Sequence, residues 1–476
     1  MNNLHVAIIG AGATGVAAFI ALVRQGACKC ITLLDASGPA IGQVYASQHP
    51  ELLCNTSVEL MSLLPPHYHD LLHYLHEHTN NEITLADFVS RKIIGDYIQD
   101  RYTRYLSLAY QQGISVSFIR DAGKQVMRQP GGDYLIETRQ SGTIAADAVI
   151  VCTGYTHPAI PEALASYQGD PLFFASPYPE KLMLEKIRPD SHVLIVGTRL
   201  SAIDAALVLC RQGCRVSLVS PSGDLPAVRS AVMLRPIQAS RLAWLTDSAV
   251  ISEQVRPDIR KWVIRLLAHA SATSLREQFV AEAESIQRLR EESELARQDK
   301  TEWQYRIVGM INAINQHSHT LPEAVKHSLS AFLRATGRYI SAMPLKNAEK
   351  LLGYVDSGLL SVEKLRADSL QKSDSGWTLS NPQGEITHFD ALVCATGYAP
   401  PRHSMTHNGL ILADARDASA APPRLNNHLQ LHLTHRVSPE SVWLAGISTH
   451  LSVPVVNALF VAVEQVNRIA QQIKRL

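Results

Sequence analysis

A glycine pattern set between a strand-forming run and a helix-forming run constrains this chain most, and a similar arrangement is met twice. His5 to Ile9 is apolar and β-prone, and it runs directly into Gly10-Ala-Gly12-Ala-Thr-Gly15. A helix-forming run from Val16 to Gln25 follows and stops at Gly26, and a second strand, Ile31 to Leu34, ends in Asp35. In that order the residues make the G-x-G-x-x-G dinucleotide fingerprint. Gly10 makes the tight turn, Gly12 lets the backbone approach a pyrophosphate, Gly15 lets helix and strand pack, and Asp35 can accept hydrogen bonds from a ribose diol. The first turn of the helix turns free N–H groups and a positive dipole end toward the phosphates. A dinucleotide is expected here.

The second unit begins at His192 to Val196 and continues through Gly197-Thr-Arg199-Leu-Ser-Ala202 into a helix ending at Gln212. Gly213 caps that helix, and Arg215 to Ser220 is the next strand. Each unit later meets a similar tail. Residues 113–155 and 358–398 both read as a strand, a turn, alternating strands and a Thr-Gly-Tyr exit, at 153–155 and 396–398. The repeat predicts an α/β chain with two Rossmann-like dinucleotide-binding domains in a glutathione-reductase-type layout, the second inserted in the first. The expected boundaries are 1–160 for the first part of one domain and 399–476 for its C-terminal part. Residues 185–398 form the other, with a helical insertion at 230–352. Within that insertion, Trp262 to Leu267, Glu277 to Trp303 and Leu333 to Leu352 have helical periodicity. Pro454 to Lys474 reads as a last helix, proline in its first turn and basic residues in its last.

With 476 residues the chain exceeds a single core, and 46% hydrophobic with 18% charged residues fits a globular enzyme. Lys+Arg 44 against Asp+Glu 43 leaves a net charge of +1, so no nucleic-acid partner is expected. The apolar N-terminus has no basic residue before it and is broken by the glycine loop, so it is not read as a signal peptide. No uninterrupted run of about 18 apolar residues offers a membrane span, and a cytoplasmic location is the default expectation. The seven cysteines include no C-x-x-C pair, and the stretch after Asp35 lacks the C-x4-C pair of disulfide-reducing flavoenzymes. Histidines 67, 69, 73, 76 and 78 have metal-like spacing, but Leu71, Leu72 and Leu75 form the apolar stripe. The histidines therefore read as a wet helix face, and no metal is expected.

Two segments carry a family resemblance. Residues 41–66, with Gly42, Tyr45, Asn55, Met61 and Ser62, resemble the flavin-site segment of a bacterial FAD/NAD(P)-binding oxidoreductase family. Phe88 to Tyr97, with Arg91 and Gly95, is similar to that family's Arg…Gly-x-Tyr helix start. The segment Trp303 to Val362 is similar to its helical insertion. The Ala-Thr-Gly-Tyr ending at 395–398 resembles the exit strand of flavin-dependent N-hydroxylating and Baeyer–Villiger-type monooxygenases. Those enzymes use FAD and NADPH without a redox disulfide.

The resemblance implies FAD at the first site, held by Gly10, Gly12, Gly15, Asp35, Gly42, Tyr45, Asn55, Met61, Ser62, Arg91, Thr153, Gly154 and Gly446. Asn457, in the first turn of the last helix, is a candidate flavin neighbour, and His450, four residues after Gly446, a candidate acid, base or substrate hydrogen-bonder. At the second site, NADPH or NADH would meet Gly197, Thr198 and Arg199. Arg199 stands where the usual second glycine lets the pyrophosphate approach, and it either blocks the cofactor or pairs with a phosphate. The basic pair for a 2′-phosphate is replaced by Ser220-Pro-Ser-Gly-Asp, leaving Arg199 or Arg229 to substitute.

The expected function is an FAD-dependent oxidoreductase, foremost an NAD(P)H-dependent monooxygenase of a small molecule bearing an amine or other heteroatom nucleophile. One alternative is an oxidase or dehydrogenase reduced directly by its substrate, with a degenerate second domain. A flavin-bound scaffold or redox sensor is another.

Overall fold

The computed structural model describes residues 3–79, 82–233, 274–282, 284–317, 323–365, 370–373, 376–381, 383–412 and 421–476. Two five-stranded sheets that contain parallel Rossmann pairings organise it. In the first, strand His5–Ile9 lies between Cys30–Leu34 and Ala148–Val151, all parallel. Ser115–Ile119 and Val442–Leu444 extend its two edges, so the C-terminal part of the chain returns to this sheet. In the second, His192–Val196 lies between Arg215–Ser220 and Ala391–Cys394, with Leu360–Lys364 and Phe173–Phe174 at the edges. The strand order is therefore the same in both.

The repeat extends to single hydrogen bonds. His5 and His192 each give a backbone N–H to an aspartate, Asp147 and Asp390, both at 2.7 Å. Their rings meet a hydroxyl on the neighbouring strand, Thr32 at 2.8 Å and Ser217 at 3.0 Å. The first glycine of each loop closes on the next strand, Gly10 on the Leu34 carbonyl and Gly197 on that of Val219, both at 2.8 Å.

Helix Ala13–Gln25 is buried on nearly every side, from Gly15 to Val23. A helix apolar all round must be sandwiched, and this one packs against the sheet, helix Arg91–Gln111 and helix Leu459–Ile473. Ala17, Ala18 and Ala21 allow close approach, while Phe19, Ile20 and Leu22 supply bulk, each worth about 1.5–3 kcal/mol for full burial. Gly26, at φ 57°, closes the helix as a left-handed cap. The two β-meanders complete the plan: Gly123–Arg128, Tyr134–Thr138 and Thr143–Ala146 join Ser404–Thr406 and Gly409–Ile411, and Leu370–Ser373, Gly376–Ser380 and Ile386–Phe389 pair among themselves.

Polar bonds lock the two Rossmann units together. Arg91, at the start of its helix, donates to the Tyr178 hydroxyl at 2.8 Å and pairs with Asp204 at 2.5 Å in buried surroundings. One oxygen of Glu180 accepts from the Ser47 hydroxyl and from the backbone N–H groups of Gln48 and His49.

Three helix expectations are corrected. Glu277 to Trp303 is not one helix: Leu275–Gln278 and Ser285–Arg297 are separate. Leu333 to Leu352 is not one helix. Helix Glu323–Ala335 is followed by Gly337–Ile340, a short strand Met343–Pro344 and helix Leu345–Asp356. Pro344 lacks the N–H that a helix interior needs, and Met343–Pro344 instead pairs with Val228–Arg229. The last helix starts at Leu459, not near Pro454, so Asn457 precedes the helix and is not in its first turn. Asn315 explains the delay: its side chain donates to the Val455 carbonyl at 2.7 Å and accepts from the Val455 N–H at 3.1 Å. The expected helix over Trp262 to Leu267 lies outside the described residues.

Candidate functional site

The first glycine loop is shaped as a dinucleotide cradle. Gly10 has φ +94°, and a Cβ there would stand 2.6 Å from the Cys152 carbonyl oxygen. A Cβ at Gly15 would stand 1.9 Å from the Gly10 oxygen. Gly12 and Gly42 face one another, a Cβ on either coming within 3.4 Å of the other's Cα. No side chain caps helix Ala13–Gln25, so its first N–H groups are available to an anion. Asp35 shapes the loop from beneath. One oxygen accepts from the Ala11 N–H at 2.8 Å, the other from the N–H groups of Ser37 at 2.8 Å and Gly38 at 3.3 Å. An uncapped helix, glycines at the close approaches and an acid at the strand end together fit a pyrophosphate and its ribose.

Tyr45 and Gly446 flank this cradle from two sides. A Cβ at Gly95 would stand 2.4 Å from the Tyr45 carbonyl oxygen, so the glycine of the Gly-x-Tyr motif seats the Gln43–Tyr45 turn on its helix. Tyr97 of that motif accepts from the Leu63 N–H at 3.0 Å and donates to Asp70 at 2.7 Å, fixing the segment that follows Asn55. Gly446 lies against Thr14, where a Cβ would stand 2.7 Å from the threonine Oγ1. Its N–H donates to Gln465 of the last helix at 2.7 Å. The structure does not bring all the named residues to an open face. Met61 is buried in the core, Ser62 donates to the His67 carbonyl at 2.9 Å, and Arg91 is committed to Tyr178 and Asp204.

A cavity of about 410 Å³ opens where the two Thr-Gly-Tyr exits meet. Tyr155 and Tyr398 line it with ring centroids 6.2 Å apart. Leu333, Ile340, Ile447, Val455 and Val456 give it apolar walls, and His450 and Asn457 add polar groups. The two residues singled out for chemistry are therefore brought together. The tyrosines were missed as site residues, although the repeated exit motif was the signal for them.

Beside the cavity, Thr153 Oγ1 lies 2.8 Å from Ser448 Oγ and 2.9 Å from His403 Nε2, and Ser448 donates to the Thr153 carbonyl at 3.0 Å. Burial, reinforced by His450, holds the His403 ring down to a pKa of about 4. Burial also lowers His450, with Arg402 adding to it and the Ile447 carbonyl opposing. No pattern in the sequence marked His403 or Ser448.

At the second loop, Gly197 approaches Ala395 as Gly10 approaches Cys152, and Thr198 donates to the Asp224 carbonyl at 2.8 Å. Arg199 is exposed at the start of an uncapped helix. Partial burial lowers its pKa; Asp224 opposes this, while Arg338 and Arg288 add to it. Arg288 comes from the helical insertion and pairs with Asp224 at 2.7 Å. Arg229 is buried, donating to the carbonyls of Tyr339 at 3.2 Å and Ile340 at 2.9 Å, and burial brings its pKa down to about 9.

Among the described residues no group of three His, Cys, Asp or Glu side chains could hold a metal ion, and no helix is long and apolar enough to cross a membrane. The cysteines there are all free.

The chain is similar to known proteins. Residues 7–156 match the model of an FAD-NAD(P)-binding family, and residues 95–252 match that of pyridine nucleotide-disulphide oxidoreductases. A protein of Escherichia coli K12, YdhS, described as uncharacterised, is 23% identical over 461 residues, covering 83% of each chain. The L-lysine 6-monooxygenase of Pseudomonas syringae superposes with a TM-score of 0.59 at 14% identity, covering 100% of this chain and 99% of its own. Ornithine hydroxylase of Pseudomonas aeruginosa, in its reduced form, gives 0.57 at 15% with the same coverage. Cyclohexanone monooxygenase, in its open form, gives 0.55 at 16%, covering 100% of this chain and 88% of its own. Parts of the chain thus match FAD-NAD(P)-binding and pyridine nucleotide-disulphide oxidoreductase models, and its fold is similar to that of these monooxygenases.

Proposed function

We propose that the protein is an FAD-dependent, NAD(P)H-using monooxygenase of a small molecule whose amine or other heteroatom acts as the nucleophile. The observation that carries this reading is the cavity. It is bounded by the exits of both Rossmann units, with Tyr155 from one and Tyr398 from the other. That placement suits a reaction in which two dinucleotides meet at one substrate space.

Gly10, Gly12, Gly15 and the first turn of their helix would hold the FAD pyrophosphate, Asp35 its ribose, and the Gly446 turn the part nearest Thr14. Gly42, Tyr45 and Asn55 stand on the segment that would wrap it, and Thr153 and Gly154 lie where the chain leaves the domain. Bound there, FAD supplies electron transfer between nicotinamide, oxygen and substrate. The remaining tasks fall to side chains. Leu333, Ile340, Ile447, Val455 and Val456 exclude water. His450, its Nδ1 3.1 Å from the Ile447 carbonyl, offers a neutral ring to a ligand. Asn457 offers both a donor and an acceptor. Gly197, Thr198 and Arg199 would take the second pyrophosphate, with the Arg199 side chain swung to the phosphates. Arg229 would support the cavity wall at Ile340.

The substrate-reduced oxidase is favoured by one observation, the departure of the second loop from the first at Arg199 and Ala202. Rapid mixing of the oxidised, FAD-loaded protein with NADPH or NADH without oxygen separates the two. Fast flavin bleaching followed by oxygen incorporation into a lysine- or ornithine-like amine supports the monooxygenase. Bleaching by an amine alone, with neither nicotinamide active, supports the oxidase.

A further inference from the structure

A second, much smaller space of about 10 Å³ lies beside the cavity, bounded by residues that include His403, Leu425, Ser448 and His450. His450 lines both spaces. The hydrogen-bond network around it fixes where the imidazole protons sit. Ser448 has one hydroxyl proton and gives it to the Thr153 carbonyl at 3.0 Å. The 2.8 Å contact between the two hydroxyls must then use the proton of Thr153. With that proton spent, Thr153 Oγ1 accepts in its 2.9 Å contact with His403, whose proton is therefore on Nε2. The Nδ1 of His403 is left as a bare acceptor, buried and without a partner among the described residues. His450 has the opposite form. Its Nδ1 faces the Ile447 carbonyl at 3.1 Å, which can only accept, so the proton is on Nδ1 and Nε2 is bare.

Two bare acceptors cannot bond to each other. A water molecule can donate one proton to each, and the small space has room for about one. Burial and His450 lower the His403 pKa, and burial with Arg402 lowers that of His450 against the opposing Ile447 carbonyl, so both rings favour the uncharged form.

We propose that His403 and His450 form a two-imidazole proton-exchange site for the cavity, bridged by one water molecule. A proton released in the cavity reaches this water, which passes one of its own to Nε2 of His450. The new N–H points back at the water, whose other hydrogen bond remains on Nδ1 of His403. Only N–H and O–H bonds form or break, and the reverse step returns the proton. His403 acts through His450 and is a positioning residue. The use of the site in turnover rests on the proposed function, whereas the proton arrangement itself does not.

The test uses the FAD-loaded protein with ¹⁵N-labelled histidine. Nitrogen spectra should show His403 protonated at Nε2 and His450 at Nδ1. His403→Gln keeps a donor toward Thr153 and removes the Nδ1 acceptor. In this variant the titration midpoint of His450 should fall, by about 0.5 pH unit, because the protonated form loses its partner. His450→Asn keeps a donor toward Ile447 and, by removing the ring that helps hold His403 down, should raise the midpoint of His403, which covers a failure of the first variant to fold. In turnover, His403→Gln should shift the acidic limb of the kcat profile and leave KM unchanged. A His450 midpoint that rises or stays fixed in His403→Gln, a His403 midpoint that falls or stays fixed in His450→Asn, or the reverse tautomers, would overturn the proposal. A wild-type protein that oxidises no NAD(P)H would overturn the monooxygenase reading and leave the nitrogen spectra to be judged alone.

Discussion

Gly15→Ala is a one-carbon change with a calculable consequence. The added Cβ would stand 1.9 Å from the Gly10 carbonyl oxygen and 2.9 Å from its carbon, well inside the 3.0 Å that real Cβ atoms respect. Both opposing atoms are backbone, so no rotamer relieves the overlap and the helix must withdraw by about 1 Å. Overpacking of this kind costs about 1–3 kcal/mol, and backbone against backbone belongs at the upper end. The withdrawal also carries the first-turn N–H groups away from the pyrophosphate. Losing charge-assisted hydrogen bonds worth about 3 kcal/mol lowers FAD affinity roughly 100-fold. The second unit supplies an internal control, since its loop already carries Ala202 at the matching position. Ala202→Gly should cost only about 1 kcal/mol, the helix penalty of glycine, and leave FAD untouched. Titration of the apo-protein with FAD, followed by flavin fluorescence, reads affinity; urea unfolding reads stability. A Gly15→Ala protein with wild-type FAD affinity and an unchanged unfolding midpoint would refute the reasoning.

Asn315→Ala should destabilise by about 2–5 kcal/mol, because it strands both backbone groups of buried Val455; urea unfolding measures this, and a loss of kcat should accompany it as the loop bearing His450 and Asn457 loosens. Arg91→Met should cost about 3–5 kcal/mol by leaving Asp204 buried without its cation, whereas the double variant Arg91→Met with Asp204→Leu should recover most of it in the same assay. His403 has a lowered pKa, so the unfolded chain binds its proton first. Stability should fall as pH drops from about 6.5 toward about 4, by about 3 kcal/mol in total, and His403→Phe should lack this part of the acid sensitivity in unfolding curves.

The fold was legible where backbone geometry dictates residue type. Gly10, Gly15 and Gly397 stand where a backbone approach or a positive φ requires glycine, and the repeat that the glycine loops and the two Thr-Gly-Tyr exits form implied both sheets. Two helix boundaries were not legible, since each is set by a distant partner. Asn315 intercepts Val455 from 140 residues away, and Met343–Pro344 is drawn into pairing with Val228–Arg229. The site was legible in part for the same reason. His450 could be named from its place after Gly446 and Asn457 from its place near the last helix, and both line the cavity. Arg91 belongs to a motif, but the sequence could not reveal that Asp204 and Tyr178 would hold its side chain. His403 carries no local signal, because its setting comes from Thr153 and Ser448, neither of them close in sequence. Arg288 belongs to a run that the sequence marks only by helical periodicity, and its pairing with Asp224 beside the second loop appears only in three dimensions.

The central claim is that both Rossmann units bind dinucleotides that meet at one cavity. Its most direct test is the rate of anaerobic flavin reduction against NADPH and NADH concentration, for the wild-type protein and Arg199→Gly. If Arg199 swings out to a phosphate, wild-type reduction saturates with one of the nucleotides. Removing the guanidinium then weakens that nucleotide by about 1.5–3 kcal/mol, roughly 10- to 150-fold in concentration dependence. No reduction of either protein by either nucleotide, with the flavin still reducible by dithionite, would contradict the account.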